Sequence, residues 1–446
     1  MPLPEGRDDP DVLPVTQATA PRLGQLLAEL EWRGILHATT PGLSERLATG
    51  RPISGYIGFD PSASSLHVGH LVPIFGLLRL QRFGGRPIAV VGGGTGMIGD
   101  PSGRSSERNL LDRPTLEANV VAIRGQLERV LDFSPGAGGA VLVNNLDWLG
   151  PLSLIDFLRD IGKHFPIGYM LAKDSVQTRL ERGLSFTEFS YMLLQAADYE
   201  HLHRTMGVEL QMGGADQWGN ITAGLELIRR MADSAANDVP PAHGLAYELL
   251  LSPSGAKFGK SDGGDTVWLD PARTSPFAFY QYWLNADDRD AGTYLRWFTE
   301  LDRETIEGLD AEVAARPEAR EAQRTLAADI TTRVHGAAAA ERAIADSAAL
   351  FSGEQLLDAG VLRGIHESAG GFSFTADMLA AGTVVLLAEA GIMASRGEAR
   401  RMVANGGVTI NGVRVTDPAH VPQPVDGEWL EVRIGKKRRE VGRLAR

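Results

Sequence analysis

The sequence predicts an α/β fold in which a mainly parallel sheet is followed by a helical region and a small α+β module. Short apolar runs at residues 53–59, 87–91 and 140–144 lead into Asp, Gly or Asn, and helix-like stretches at 71–83 and 115–131 separate them. Strands that alternate with helices favour a parallel sheet. Because ligands bind beyond the carboxyl ends of such strands, the loops after these runs are the expected site.

The pattern changes beyond residue 247, as expected for a chain of 446 residues, which is too long for one ordinary domain. Strand-like runs at 247–251 and 266–269 flank a Gly/Lys loop, and helical patterns then extend to about residue 351. Near the C-terminus, helical patterns at 376–390 and 395–404 precede strand-like runs at 408–410 and 430–434.

These changes predict five segments of different character. Residues 1–20 are rich in Pro and Asp and lack periodicity, so a mobile arm is expected. Residues 352–374 contain Gly and Ser without sustained periodicity, as a linker does. The expected order is the arm at 1–20, the sheet domain at 21–246, a loop-and-helix domain at 247–351, the linker at 352–374 and a small C-terminal domain at 375–446.

Composition limits the classes of function. The chain has 43% hydrophobic and 22% charged residues, and no apolar run or leader-like N-terminus predicts a membrane role or export, so we expect a cytoplasmic protein. There is no cysteine, and no closely spaced set of histidines and carboxylates predicts a metal site. The net charge is −12, whereas residues 391–446 contain 11 Lys and Arg against 6 Asp and Glu. Any nucleic-acid contact is therefore expected at this basic end.

A polar loop with two histidines follows the first predicted strand. His67 and His70 stand where a helix begins, and Gly69 between them permits close approach of the backbone. Two imidazoles beside the positive end of a helix suit a phosphate group. A pair of capping or core histidines is the alternative.

A second motif lies in the Gly/Lys loop and reads Lys257-Phe-Gly-Lys260-Ser261. Two ammonium groups and a hydroxyl on a flexible loop can close over a triphosphate and stabilise charge that develops at phosphorus. Taken alone, the motif is more typical of a solvated Lys/Gly loop.

A polar stripe interrupts an otherwise apolar helical segment at Tyr191, Gln195 and Asp198. The spacing i, i+4, i+7 puts the three side chains on one face of a helix. Such a stripe is either the solvated side of the helix or the wall of a pocket for a polar ligand.

A glycine-rich loop follows the second predicted strand, and Gly94, Gly96 and Gly99 satisfy the dinucleotide pattern G-x-G-x-x-G. That pattern requires a helix that opens on the glycines, whereas Asp100 and Pro101 prolong the loop here. A dinucleotide site is therefore disfavoured. Asp100 is a candidate ligand-binding residue or a simple turn former.

Three arginines, Arg396, Arg400 and Arg401, fall on a short predicted helix before a Gly-rich turn. They are suited to phosphate contacts. The run at 436–439 either extends this basic surface or is a solvated end.

Together, the two motifs stand about 190 residues apart on an α/β chain and resemble the two signatures of class I aminoacyl-tRNA synthetases. The second departs from the commoner Lys-Met-Ser-Lys-Ser at Phe258 and Gly259, and this variant resembles that of bacterial tyrosyl-tRNA synthetases. Residues 56–71, 92–104, 190–198 and 211–221 are similar to the same family, and the C-terminal segment resembles its small RNA-binding domain. Residues 21–246 are accordingly expected to be a Rossmann-like catalytic domain.

The resemblance implies a role for each candidate residue. Asp198 and Tyr56 would bind the substrate phenol, and Asp100, Tyr191 and Gln195 its ammonium group, with Gln211 also in the tyrosine site. The residues implied for ATP are Gly58, Asp60, Gly69, Gly214, Asp216, Gln217 and Lys260. The catalytic group would consist of His67, His70, Lys257, Lys260 and Ser261, and the RNA contacts would come from Arg396, Arg400 and Arg401.

The resemblance also implies the reaction and the partners. Tyrosine would be adenylated with ATP and Mg²⁺ and then transferred to the terminal ribose of its tRNA. The enzyme would need no tightly bound cofactor. It would be a homodimer and would bind neither DNA nor a membrane. Three alternatives remain open: a tryptophan enzyme of the same class, a non-catalytic RNA-binding protein on this scaffold, and a small nucleotidyltransferase.

A site of this kind would also reject phenylalanine. A phenylalanine side chain would leave a buried carboxylate unpaired, which is costly. Tyrosyl-tRNA synthetases are the known example of such discrimination, and they prefer tyrosine to phenylalanine by a factor of about 10⁵. That factor is known for the family and does not follow from this sequence.

Overall fold

The structure is a computed structural model that describes residues 22–102, 111–173, 176–177, 180, 183–232, 241–250, 258–259, 266–351, 358–435 and 438–445. The chain divides into two compact units. The first unit consists of the described residues within Met1–Asp270 and Ala286–Val334, and the second of those within Pro271–Asn285 and His335–Arg446.

Helices account for most of the regular structure. In chain order, the α-helices of the described residues are α1 Leu26–Trp32, α2 Leu43–Ala48, α3 Leu71–Arg82, α4 Arg113–Leu127, α5 Leu146–Leu149, α6 Leu154–Asp156, α7 Ile167–Leu171, α8 Phe186–Met206, α9 Trp218–Ala232, α10 Pro276–Leu284, α11 Asp288–Phe298, α12 Arg303–Ala315, α13 Glu321–His335, α14 Ala337–Phe351, α15 Ala359–Ala369, α16 Ala376–Ala380, α17 Thr383–Glu389 and α18 Arg396–Ala404. A π-helix, Phe157–Ile161, and several 3₁₀ turns occur between them.

A six-stranded sheet forms the centre of the first unit. Its strands are β1 Leu36–Thr39, β2 Ser54–Phe59, β3 Arg86–Val91, β4 Val141–Asn144, β5 Leu210–Gly214 and β6 His243–Tyr247, in the order β1-β6-β5-β2-β3-β4. All neighbours are parallel except β1, which pairs antiparallel with β6. The chain order reverses between β2 and β5, and in open parallel sheets this switch point is where ligands bind.

Continuous apolar runs explain why these strands are central. In β3, five successive residues after Arg86 are buried, as expected for a parallel strand that helices cover on both faces. Helix α3 buries Ile74, Phe75, Leu77 and Leu78. Helix α8 begins at the N-cap Ser185, whose side chain accepts a hydrogen bond from Glu188 N, and ends at Gly207 with φ of 64°.

A second, five-stranded sheet lies in the second unit. Its strands are β7 Phe372–Phe374, β8 Val408–Ile410, β9 Val413–Val415, β10 Trp429–Ile434 and β11 Arg438–Leu444, in the order β7-β11-β10-β8-β9. Phe374, Leu386, Leu387, Val403 and Leu430 belong to a buried apolar cluster between this sheet and helices α17 and α18. The predicted α/β fold with a helical region and a small α+β module is thereby confirmed.

Several element boundaries differ from the sequence prediction. The strand expected at 247–251 is β6, His243–Tyr247, which lies between β1 and β5, so the buried His243 belongs to the strand and the apolar Leu249 does not. The run at 266–269 belongs to no named strand of the described residues, and within it Trp268 forms an isolated bridge with His67. The helix expected at 376–390 is divided into α16 and α17 at Gly382, which has φ of 93°.

The interval 352–374, expected to be a linker, contains helix α15 and strand β7 among its described residues. Leu362 and Ile365, three residues apart, are buried on one face of α15, and β7 pairs with β11. The run 436–439 is likewise not a wholly solvated end. Arg439 lies in β11 and forms a buried ion pair with Glu431 at 2.5 Å.

No helix of the described residues is long and apolar enough to cross a membrane. Within the same part of the chain, no group of three or more His, Asp or Glu side chains is arranged to hold a metal ion.

Candidate active site

A cavity of about 800 Å³ opens at the carboxyl edge of the first sheet, next to the switch point between β2 and β5. The end of β2, the loop after β3, one face of α8 and the turn after β5 surround it. Thirteen of the predicted site residues line this single cavity: Tyr56, Gly58, Asp60, His67, Gly69, His70, Asp100, Tyr191, Gln195, Asp198, Gly214, Asp216 and Gln217.

Asp198 lines the cavity and is 4% exposed. Its two carboxylate oxygens accept hydrogen bonds from Trp148 Nε1 at 2.7 Å and from Asn145 Nδ2 at 2.9 Å. Burial raises the pKa of Asp198 to about 7, although these two donors act to lower it. The carboxyl group is thus held in a fixed orientation and titrates near neutrality.

Tyr56, in β2, lines the same cavity near Asp198 and is 2% exposed. Its hydroxyl oxygen is buried and has no hydrogen-bond partner among the described residues. Burial, followed by the charge of Asp198, raises the pKa of Tyr56 well above its usual value, so the phenol stays protonated. A buried hydroxyl without a partner is costly unless a ligand supplies one.

A second cluster of acceptors lies around Tyr191. Its hydroxyl donates to Asp60 Oδ2 at 3.0 Å, and Thr95 Oγ1 donates to Asp60 Oδ1 at 2.8 Å. Burial and the nearby Asp60 and Asp100 raise the pKa of Tyr191 well above its usual value. Carboxylates gathered around an uncharged phenol attract a cationic group.

Side-chain amides orient the carboxylate of Asp100. Gln217 Nε2 donates to Asp100 Oδ2 at 2.7 Å, and Gln195 Nε2 donates to Gln217 Oε1 at 3.3 Å. Asn220 Nδ2 completes the network by donating to Gln195 Oε1 at 3.0 Å. The helical stripe predicted from sequence therefore faces the cavity and is not the solvated side of α8.

The histidine pair forms a compact turn at the start of α3. Gly69 N donates to His67 Nδ1 at 3.0 Å, and His67 N donates to His70 Nδ1 at 3.2 Å. Because each Nδ1 accepts a backbone N–H, the neutral rings carry their proton on Nε2. The ring centroids are 4.1 Å apart. Both histidines line the cavity, so two adjacent imidazole rings form part of its wall.

Only Phe258 and Gly259 of the second motif are described, and Phe258 lines the cavity. Lys257, Lys260 and Ser261 lie outside the described residues. Gln211 is buried in β5 opposite Tyr56 but does not line the cavity, and its Oε1 has no partner among the described residues.

Some site residues were not found from the sequence. Asn145 directly follows β4, so its position at the carboxyl edge of a parallel strand was a usable signal. Thr95 stands in the glycine-rich loop that had already been singled out. Trp148 carried no sequence signal, because its contact with Asp198 spans 50 residues.

In the second unit, the three predicted arginines lie on α18. Arg396 is exposed and forms an ion pair with Glu389, and Arg400 and Arg401 are exposed. Their guanidinium groups are accessible on the surface of this helix.

Comparisons with known proteins agree with this geometry. A family model described as tRNA synthetases class I (W and Y) matches residues 48–352, and one described as Tyrosine--tRNA ligase SYY-like C-terminal domain matches residues 372–440. A tyrosine–tRNA ligase of Anaeromyxobacter dehalogenans (strain 2CP-1) is 53% identical, over 87% of this chain and 91% of the relative. That of Geobacillus stearothermophilus is 48% identical, over 93% and 98%.

Solved structures give the same result. The structure of a C-terminally truncated mitochondrial tyrosyl-tRNA synthetase from Aspergillus nidulans matches with a TM-score of 0.66 and 29% identity, covering 73% of this chain and 94% of the other. Its counterpart from Coccidioides posadasii matches with a TM-score of 0.62 and 31% identity, covering 72% and 91%.

The parallel sheet, the histidine turn and the first family model together define the class I tRNA synthetases of the tryptophan and tyrosine group. Within that class, the chain belongs to the tyrosine–tRNA ligase family. It is therefore an enzyme, an aminoacyl-tRNA ligase. The family resemblance expected from the two sequence motifs is confirmed.

Proposed function

We propose that this tyrosine–tRNA ligase binds L-tyrosine in the cavity with its phenol at Asp198 and Tyr56 and its ammonium group among Asp100, Tyr191 and Gln195. The observation that carries the assignment is the buried Asp198 carboxyl, oriented by two donors, opposite a buried Tyr56 hydroxyl without a described partner. A phenol offers one donor and one acceptor to these two groups. An indole has no oxygen to pair with Tyr56, which disfavours tryptophan.

ATP, bound as its Mg²⁺ complex, is assigned to the part of the cavity between the histidine turn and the end of β5. Gly58, Gly69 and Gly214 allow the nucleotide to approach the backbone, and a Cβ at Gly69 would lie 2.7 Å from the His67 ring. Asp216 and Gln217 follow β5, where they would face the ribose. Gln195, with Gln217, holds Asp100 toward the ammonium group.

In the first step, a carboxylate oxygen of tyrosine attacks the α-phosphorus of ATP, a P–O bond forms, and the bond to the β-phosphate oxygen breaks. The products are tyrosyl-adenylate and pyrophosphate. No protein nucleophile takes part, so catalysis consists of positioning and charge stabilisation. The Nε2 donors of His67 and His70 stabilise the charge on the phosphates, together with Lys257, Lys260 and Ser261.

In the second step, the terminal ribose hydroxyl of the tRNA attacks the carbonyl carbon of the mixed anhydride and AMP leaves. Contacts of Arg396, Arg400 and Arg401 with tRNA phosphates are supported by their exposure on α18. A cytoplasmic location suits an activity that uses ATP and tRNA.

Replacing His70 with alanine tests the assignment of the histidine turn. Removing one charge-stabilising donor lowers the rate of adenylate formation by about 10²–10³-fold, while the Kd for tyrosine should change by less than about 2-fold because His70 does not contact the phenol or ammonium groups. Rapid quench measures the first quantity and equilibrium dialysis the second. Equal losses in rate and affinity would remove His70 from the catalytic role, and His420→Ala in the second unit is the control.

We also propose that the enzyme is a homodimer. Six large apolar side chains between residues 154 and 186 are exposed on the first unit, at fractions from 44% to 74%. They belong to Leu154, Ile155, Leu158, Ile167, Leu180 and Phe186. Exposed apolar groups gathered in one stretch are typical of a protein interface.

Light scattering after gel filtration tests the dimer. The native chain should elute at twice its mass of 47.9 kDa, and the double variant Ile155→Glu/Phe186→Glu should elute as a monomer. The matched control is Val361→Glu, at an exposed valine of the second unit. A native monomer, or a double variant that remains dimeric, would reject this interface.

A further inference from the structure

The carboxyl end of α11 contacts the described part of the second motif. Phe298, the last residue of α11, lies face to face with Phe258, with ring centroids 5.5 Å apart and planes inclined by 2°. Tyr294, one turn earlier, lies 5.6 Å from the Phe258 ring at 56°. Phe258 is therefore packed against two aromatic rings of one helix.

A buried arginine holds this end of α11 against α3, the helix that begins at the histidine turn. Arg79 of α3 donates to the carbonyl oxygens of Arg296 at 3.1 Å and Trp297 at 2.8 Å, and it pairs with Glu300 at 3.0 Å. Burial lowers the pKa of Arg79 to about 10, so it remains charged at neutral pH. A cation at the carboxyl end of a helix is stabilising.

A second contact reinforces the link to the first motif. Phe75, also in α3, meets Phe298 edge to face with centroids 6.3 Å apart. Because Phe75 and Phe298 are both fully buried, the ring of Phe298 has little freedom to move. The histidine turn and Phe258 are thus attached to the same rigid pair of helices.

Backbone hydrogen bonds through Val267 connect Gly259 to the histidine turn. Gly259 adopts φ of +86°, a conformation that favours glycine, and its carbonyl oxygen accepts a hydrogen bond from Val267 N at 3.2 Å. The carbonyl oxygen of Val267 accepts one from Val68 N, in the histidine turn, at 3.0 Å. These contacts give a physical reason for the Phe-Gly variant of the motif, since Phe258 stacks and Gly259 turns.

We propose that Phe298 is a positioning residue for adenylation, which fixes the second motif relative to the histidine turn by stacking on Phe258. The inference rests on the proposed role of Lys257 and Lys260, the sequence neighbours of the Phe258–Gly259 pair, at the phosphates of ATP. An aromatic pair of this kind provides a specific geometry beyond apolar burial. Because misplacement of a catalytic group by about 1 Å can cost about 10²-fold in rate, a stack remote from the reacting atoms can control kcat.

A double-mutant cycle on the full-length enzyme tests this proposal. Phe298→Leu and Phe258→Leu keep an apolar side chain but remove the stack, and each should lower kcat for tyrosine-dependent ATP–pyrophosphate exchange by about 10–100-fold with the KM for tyrosine within about 2-fold of native. The double variant should be no more than about 2-fold slower than the slower single variant, because the stack is lost only once.

Controls separate positioning from a general loss of stability and from an error in the proposed function. Phe279→Leu removes an equally buried phenylalanine of the second unit and should lower the unfolding temperature without lowering kcat. Lys260→Ala tests the motif itself. If Lys260→Ala is slow but Phe298→Leu retains the native kcat, or if the two losses in the cycle multiply, the positioning proposal is wrong. If Lys260→Ala is as fast as native, the assigned role of the motif is wrong.

Discussion

The affinity for tyrosine should depend on pH through the ionisation of Asp198. In the free protein burial raises the pKa of this carboxyl to about 7. A bound phenol donates to the carboxylate and stabilises its ionised form, so the pKa falls in the complex and binding releases a proton. Affinity should therefore rise with pH up to about 8 and then become constant.

The size of the effect follows from the titration. With a pKa of about 7, the ionised fraction is about one tenth at pH 6, one half at pH 7 and nine tenths at pH 8. The Kd for tyrosine should thus fall about 10-fold from pH 6 to pH 8, and binding at pH 7 should release about half a proton. The ammonium group of tyrosine stays protonated over this range.

Isothermal titration calorimetry in buffers of different ionisation enthalpy measures both quantities. Phenylalanine, which has no phenol, and the variant Asp198→Asn should each remove the rise in affinity between pH 6 and pH 8. A Kd for tyrosine that is equal at both pH values, with no proton released, would mean that the ionisation of Asp198 does not change on binding and would refute this argument.

Two further predictions concern groups that hold charged side chains in place. Trp148→Phe removes the 2.7 Å donation to Asp198 while keeping a ring next to His201, so the pKa of Asp198 should rise and the midpoint of the pH–affinity curve should move to higher pH; an unchanged midpoint would contradict the role of this donor. Arg439→Met removes the ion-pair partner of Glu431, whose side chain is 1% exposed. This change should destabilise the second unit by about 3–5 kcal/mol in urea unfolding, because breaking a buried pair leaves a charge uncompensated, whereas Arg438→Met, at a half-exposed site, should change stability by less than about 0.5 kcal/mol. Equal effects of the two arginine substitutions would contradict the burial argument.

Local patterns predicted much of the fold and the candidate site. The strand-loop-helix pattern around His67 and His70 and the helical spacing of Tyr191, Gln195 and Asp198 both depend on residues close in sequence. Their geometry therefore follows from the helix period and from the position of loops at the carboxyl edge of a parallel sheet. The spacing alone could not decide whether the stripe on α8 faced solvent, and the cavity decided it.

Contacts between distant segments could not be predicted in this way. The donation from Trp148 to Asp198 and the stack of Phe298 on Phe258 join residues whose separation in sequence follows no period. Helix α15 escaped detection because its glycines and serine resemble a linker, although Leu362 and Ile365 are buried on one face. The predicted start of β6 was wrong for a similar reason, because His243 is a polar residue type that is nevertheless buried in this strand.

ATP–pyrophosphate exchange with each of the twenty amino acids tests the central claim most directly, because it isolates adenylation from tRNA binding. We expect exchange with tyrosine alone, since only a phenol satisfies both Asp198 and Tyr56. Exchange with tryptophan or phenylalanine at a comparable rate would contradict the assignment of the cavity, and no exchange with any amino acid would contradict the proposed adenylation.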